Sequence, residues 1–244
     1  IMISPLAYVD ASAKLGANVT VHPFAYIDKN VEIGDDCEIM PHVSIMSGTR
    51  MGKRNRIFNG DVIAAEPQDF NYKGDDTIVE IGDDNVIREN VVINRATNSG
   101  GKTVIGNGNF LHEGVHVSHD THIGNHSVFG YGSKISGNCM IEDYVIFGGN
   151  VLVSQGCRVG TWSMTQTGCR FRKDVPPYIV AALEPTTYYG VNSVILMHEG
   201  MSEKIVKHIS HAYRIIYQGN TSIFDALLMI KDQVLMSDEI QHII

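Results

Sequence analysis

An aliphatic or bulky apolar residue recurs every six positions from Val9: Val9, Leu15, Val21, Ile27, Ile33, Ile39, Ile45, Met51, Ile57 and Ile63. The pattern resumes at Ile81, Ile87 and Ile93. It resumes again from Ile105 through Leu111, Val117, Ile123, Phe129, Ile135, Ile141, Phe147 and Val153 to Val159, and fades at Thr165 and Phe171. Both interruptions keep the phase. A second column, four residues after each apolar position, is small or β-branched: Ala13, Val19, Ala25, Val31, Val43, Val91, Val115, Thr121, Ser127 and Ser133 among others. Cys37, Cys139, Cys157 and Cys169 all fall in this column, as small packing residues would. A third column is glycine, one place after the apolar residue, at Gly16, Gly34, Gly52, Gly82, Gly106, Gly124, Gly130, Gly148 and Gly160. Tolerance of positive φ suits glycine to corners between short strands. No GxGxxG opens a helix, so these glycines do not make a dinucleotide fingerprint.

Six-residue units with one inward apolar position predict a hexapeptide β-helix. Such units resemble the left-handed parallel β-helix proteins, in which three hexads make one triangular coil of 18 residues. Residues 9 to 171 then supply about nine coils, stacked at strand spacing into a prism about 40–45 Å long. Residues 64–80 and 94–104 leave the repeat as loops, and loops on a rigid scaffold commonly carry binding groups. After Phe171 the repeat stops, with Asp174-Val175-Pro176-Pro177-Tyr178 as a breaker. Residues 178–197 read as irregular or extended. From Ser202 the period turns helical, with a stripe of Ile205, Ile209, Ala212, Tyr213, Ile216 and Tyr217 before Gly219. Ser222 caps a second helix, and a third begins near Ser237. The expected organisation is mainly β: a β-helix domain over 1–190 and a small helical domain over 191–244.

Residues 18 apart stack on one edge of such a prism. This puts His119 beside Gly137 and Gln155, with Asp120 next to it in sequence. The set suits acyl transfer to a hydroxyl or amine. A neutral imidazole takes the proton of the attacking group, an adjacent carboxylate fixes its tautomer, and the Gly137 N–H is open to an oxyanion. His112, His116, His122 and His126 also crowd this stretch, but only His116 and His122 share a column, on different facets. No metal site is expected. His116 reads as a substrate contact and the other three as surface residues.

Composition narrows the class. A formal net charge of -8 argues against a nucleic-acid protein. No apolar run approaches the roughly 20 residues of a membrane span, and no basic region followed by an apolar core opens the chain. Four cysteines without CxxC spacing fit a reduced, cytoplasmic protein. Arg170, Arg172 and Lys173 form a basic cluster that suits an acidic partner or a solvated rim.

Gln68-Asp69-Phe70-Asn71-Tyr72, His116-Val117-Ser118-His119-Asp120, Asp174 to Tyr178, and Gly190-Val191-Asn192 leading into helices occur together and in order. In these motifs the chain resembles the acyl-carrier-protein-dependent UDP-N-acetylglucosamine O-acyltransferases of lipid A synthesis, over nearly its whole length. The resemblance implies a homotrimer with sites in clefts between subunits. His119 would be general base for the sugar 3-hydroxyl, Asp120 its polarising partner, and Gly137 the oxyanion donor. Gln68, Asp69, His116, Asn138, Gln155 and Asn192 would hold the sugar nucleotide or the pantetheine arm, and Thr167 would occupy the position that measures acyl length. No cofactor is implied beyond the phosphopantetheine of the acyl carrier protein, which is itself a partner. The chain departs from the family pattern at Asn71 (lysine in the family), at Asn138 and Ser154 (histidines), and at His198-Glu199 (paired arginines). Three readings follow: O-acylation of UDP-N-acetylglucosamine, N-acylation of a 3-amino sugar nucleotide, or a non-catalytic paralogue that binds carrier protein or nucleotide.

Overall fold

The computed structural model describes residues 2–244. Most hexads contribute a two-residue strand, such as Tyr26–Ile27, Glu32–Ile33 and Glu38–Ile39. Successive side chains point to opposite faces of a strand, so the second residue of each pair enters the core. Ile27, Ile39, Ile45, Ile57, Ile63, Ile87 and Ile93 are fully buried there. Each strand pairs in parallel with the third strand after it, which gives three sheets and a triangular prism. The repeat begins one hexad before Val9, since Met2–Ile3 pairs with Thr20–Val21. It also persists through Thr165 and Phe171, both buried, and Ile179–Ala182 adds a further parallel strand on Met164–Thr165.

The two loops are measured in hexads. Stacked residues are ordinarily 18 apart. Across the first loop Asn55 stacks on Asn85, 30 positions on, and across the second Asn85 stacks on Asn109, 24 positions on. The chain thus leaves the prism for two hexads and then for one, and returns in register. The first departure is a bulge at Ala64, which has φ 61°. The strands bounding the loops are Val62–Ala65 and Ile78–Ile81, then Val92–Asn94 and Lys102–Ile105. The loops proper are 66–77 and 95–101.

The glycine column does not sit at left-handed corners, contrary to the sequence expectation. The positive-φ residues come three places after the apolar residue and are often Asn or Asp: Asn18, Asn30, Asp36, Asp84, Asn90, Asp120, Asn138 and Asn150. These side chains tolerate that conformation best after glycine. The glycine column serves close approach instead. A Cβ on Gly34 would lie 2.6 Å from the Gly52 carbonyl oxygen, and one on Gly106 would lie 2.4 Å from that of Gly124.

Inside the prism the second column turns polar where the loops leave. Asn55, Asn85 and Asn109 are buried. Each Oδ1 accepts the backbone N–H of the next residue in the stack, and each Nδ2 donates to a glycine carbonyl. All four cysteines are buried and unpaired, and burial pushes the Cys139 thiol up to about 11.

Beyond Ala182 the strand Thr187–Val191 folds back antiparallel on Ile179–Ala182. Four helices follow: α1 (Ser193–His198), α2 (Glu203–Gln218), α3 (Ile223–Gln233) and α4 (Asp238–Ile243). α1 lies within the stretch expected to be extended, and Leu196 is its one buried residue. Ser202, Ser222 and Ser237 cap the other three helices. The Tyr213 hydroxyl donates to the Pro177 carbonyl at 2.6 Å, and His242 of α4 pairs with Glu142 at 2.6 Å. Among the described residues no helix is long and apolar enough to cross a membrane.

Candidate active site

His119 lies at the corner after the strand His116–Val117, with only 8% of its surface exposed. Its ring lies flat against Gly137 one coil on: a Cβ there would meet Cε1 and Nε2 at 2.5 Å. Any side chain at 137 would displace the imidazole. The Gly137 N–H has no acceptor among the described residues. At the next corner of the prism the equivalent N–H groups of Asn107 and Asn125 are taken by the side chains of Asn125 and Asp143. At Gly137 the residue one coil further is Gln155, whose exposed side chain leaves the amide open.

Three groups decide which nitrogen of His119 carries the proton. Nδ1 is 2.8 Å from Asp120 Oδ2 and 3.1 Å from Thr97 Oγ1. The Thr97 hydroxyl hydrogen goes to Asp69 Oδ2 at 2.9 Å, so its oxygen is an acceptor toward the ring. Asp120 is itself held by the Thr97 N–H at 3.1 Å and donates its own N–H to Thr103 Oγ1 at 2.9 Å. With two acceptors at Nδ1, that nitrogen holds the hydrogen and Nε2 presents its lone pair. Asp69 Oδ2, on the 66–77 loop, stands 3.8 Å from Nε2. The Asn71 N–H and then the Thr97 hydroxyl hold the Asp69 carboxyl below its ordinary range.

The two loops are laced to each other around this corner. Arg95 donates to the Tyr72 hydroxyl at 2.7 Å and to the Ala64 carbonyl at 3.1 Å. The Thr77 hydroxyl donates to the Ala96 carbonyl at 2.5 Å. His116 Nε2 meets Asn94 Oδ1 at 2.5 Å, and Asn94 Nδ2 donates to the Glu66 carbonyl at 2.7 Å. Burial, with Lys134 nearby, lowers the His116 pKa.

Similar proteins identify the setting. Residues 174–244 match the family model described as Udp N-acetylglucosamine O-acyltransferase, Domain 2, and residues 102–137 match the bacterial transferase hexapeptide repeat. An acyl-[acyl-carrier-protein]–UDP-N-acetylglucosamine O-acyltransferase of Xanthomonas axonopodis pv. citri is 41% identical over 98% of this chain and 92% of its own length. The chain belongs to this acyltransferase family. The solved structure of LpxA, a UDP-N-acetylglucosamine acyltransferase from Bacteroides fragilis, superposes with a TM-score of 0.98 at 50% identity, covering 99% of this chain and 95% of that one. LpxA from Acinetobacter baumannii superposes at 0.96 with 31% identity, covering 100% of this chain and 95% of that one. The fold is the left-handed parallel β-helix with C-terminal helices, and the chain is an enzyme of the acyltransferase class.

Within this acyltransferase chain the expected site residues divide among four places. His119, Asp120, Gly137, Asn138 and Gln155 share one corner, and Asp69 and His116 adjoin it. Gln68 is exposed on the 66–77 loop. Thr167 stands at a different corner, across the face that carries His116, Lys134, Leu152 and Arg170. There its Oγ1 accepts the Gly149 N–H at 3.2 Å, and the Tyr131 ring covers Gly149. Asn192 is buried at the last coil, with its amide given to the Trp162 carbonyl at 3.1 Å. His198 pairs with Glu199 at 3.0 Å, in place of two adjacent cations. Thr97, Asn94 and Arg95 escape a reading by motif. Thr97 carries a signal nonetheless: it falls four residues after Ile93, in phase with the inward column, and is 2% exposed.

Proposed function

We propose that the chain transfers a 3-hydroxyacyl group from acyl carrier protein to the 3-hydroxyl of UDP-N-acetylglucosamine, the first step of lipid A biosynthesis, with His119 as general base. The observation that carries the base assignment is the Nδ1 tautomer, which leaves Nε2 unprotonated above Gly137 and opposite Asp69. The sugar hydroxyl gives its proton to Nε2 while its oxygen forms the new C–O bond at the thioester carbonyl. The tetrahedral oxyanion takes the Gly137 N–H. The C–S bond then breaks, and the imidazolium returns the proton to the departing pantetheine thiol. Asp120 stabilises the imidazolium in between, as the third member of a triad does. A polar atom about 2.8 Å from both Nε2 and Asp69 Oδ2 fits the 3.8 Å gap between them.

The acyl chain finds an apolar track on another face. Phe110, Val128, Ile146 and Met164 stack outward on successive coils, beside the corner of Tyr131 and Thr167. In one chain a charged face, with Lys134 and Arg170, separates that track from His119. A trimer with sites between subunits, which sets one copy's His119 corner against the next copy's apolar face, would bring them together. Lys134, Arg170 and Arg172 line a hollow of 310 Å³ on that charged face, with charge suited to an acidic carrier protein.

The test is turnover of UDP-N-acetylglucosamine and of its 3-amino counterpart by the intact oligomer, with 3-hydroxyacyl carrier protein as donor. The expected result is the O-acyl product, with His119→Ala lowering kcat by about 10²–10⁴ and melting like wild type. Product only from the amino sugar would reassign the acceptor, and an undiminished His119→Ala rate would remove the base.

A further inference from the structure

We infer that Thr97 is a positioning residue that sets the spacing between the base and the loop carboxylate, and so couples closure of the 66–77 loop to catalysis. The inference rests on the reading of His119 as the base. Among the described residues the Thr97 side chain is the one hydrogen-bonded on both sides of the gap: its hydroxyl donates to Asp69 Oδ2 at 2.9 Å and its oxygen stands 3.1 Å from His119 Nδ1. A single hydroxyl hydrogen permits one orientation here. Asp69 only accepts, so the hydrogen points to the loop and the lone pairs point to the ring. Loop position and ring tautomer are therefore read by one atom.

The backbone fixes that atom. The Thr97 N–H holds Asp120 Oδ2 at 3.1 Å, and Thr97 is 2% exposed. The preceding residues are bound on both sides, with Ala96 O receiving Thr77 and Arg95 N–H reaching the Ala65 carbonyl. The other polar anchors of the 66–77 loop, Arg95 to Tyr72, Asn94 to Glu66 and Thr77 to Ala96, make no bond to the imidazole. Thr97 joins the loop to the ring by hydrogen bonds, beside the longer approach of Asp69 itself to Nε2 at 3.8 Å. Among the described residues the Asp69 carboxylate is otherwise hydrogen-bonded only to the Asn71 N–H of its own loop, at 2.9 Å. Without the hydroxyl, the carboxylate is free to move from its place 3.8 Å from Nε2.

Thr97→Val keeps the shape and removes the hydroxyl. Hydrogen–deuterium exchange of the 66–77 peptide should speed up in Thr97→Val and stay near wild type in Thr97→Ser. With UDP-N-acetylglucosamine as acceptor, Thr97→Val should lose about tenfold or more in kcat/KM, and Thr97→Ser should recover most of it. In an Asp69→Ala background the same Thr97→Val change should cost less than about threefold, because coupled residues are not additive. Unchanged loop exchange in Thr97→Val overturns the tether. Faster exchange with unchanged kcat/KM, or full additivity with Asp69→Ala, overturns the positioning role. The exchange arm needs no turnover, so failure of the wild-type enzyme to acylate the sugar would sink the functional reading without touching the tether.

Discussion

Gly137 shows how much chemistry one missing side chain supports. A Cβ would stand 2.5 Å from the His119 ring, so the glycine gives the imidazole its resting surface and keeps its own N–H uncovered. Gly137→Ala is expected to lower kcat by on the order of 10²-fold or more with a smaller change in KM, the pattern of a donor that acts on the transition state. Steady-state kinetics at saturating donor decide this, and a wild-type kcat would remove the glycine from the mechanism. His119, Asp120 and Gly137 are legible from the sequence because stacking converts a spacing of 18 into contact. Thr97 and Asn94 are harder to see. Their partners lie across loops whose path no repeat dictates, and a threonine between two carboxylates carries no motif.

At the scale of elements, the prism depends on side chains that finish its backbone bonds. The Asn55–Asn85–Asn109 ladder crosses the level where both loops leave. Its amides satisfy backbone groups that water does not reach. Asn85→Leu would leave the Asn109 N–H and the Gly106 carbonyl without partners, at about 1–3 kcal/mol for each stranded group, while Asn55 Oδ1 keeps the backbone N–H of residue 85. Denaturant unfolding should show a loss of several kcal/mol with an unchanged m-value, and a loss below 1 kcal/mol would mean that water enters the coil. The apolar column predicts strand and phase correctly because burial enforces it. The glycine column is misread from sequence because two constraints select glycine: a left-handed corner and, as at Gly34, Gly52, Gly82, Gly106 and Gly130, a neighbouring carbonyl oxygen 2.3–2.7 Å from a would-be Cβ. Only three-dimensional stacking separates them. α1 eludes periodicity because six residues with one buried side chain hold too little pattern.

At the scale of the molecule, the separation of His119 from Thr167 fits the proposed site between subunits. Co-expression of His119→Ala with Thr167→Trp, each inactive alone, tests this. The two changes sit on different corners, so mixed trimers would contain some junctions with both corners intact. Random mixing should restore roughly a quarter of wild-type activity. No recovery from verified mixed trimers would place the whole site within one chain. The motif resemblance implies sites between subunits; which residue stands at which corner follows from its remainder modulo 18.

The two loops, which take the chain out of the prism for two hexads and for one, amount to a reading frame in protein form. A segment that loops out in place of whole hexads is silent to everything downstream. An odd number of residues added within the strands themselves would turn later isoleucines outward and later lysines or arginines inward, since side chains alternate along a strand. Tolerance to insertion in this fold is therefore a matter of whether the chain re-enters the prism in phase. The residues that make the site distinctive, Asp69 and Thr97, both lie in such in-frame inserts, where novelty leaves the scaffold's register intact.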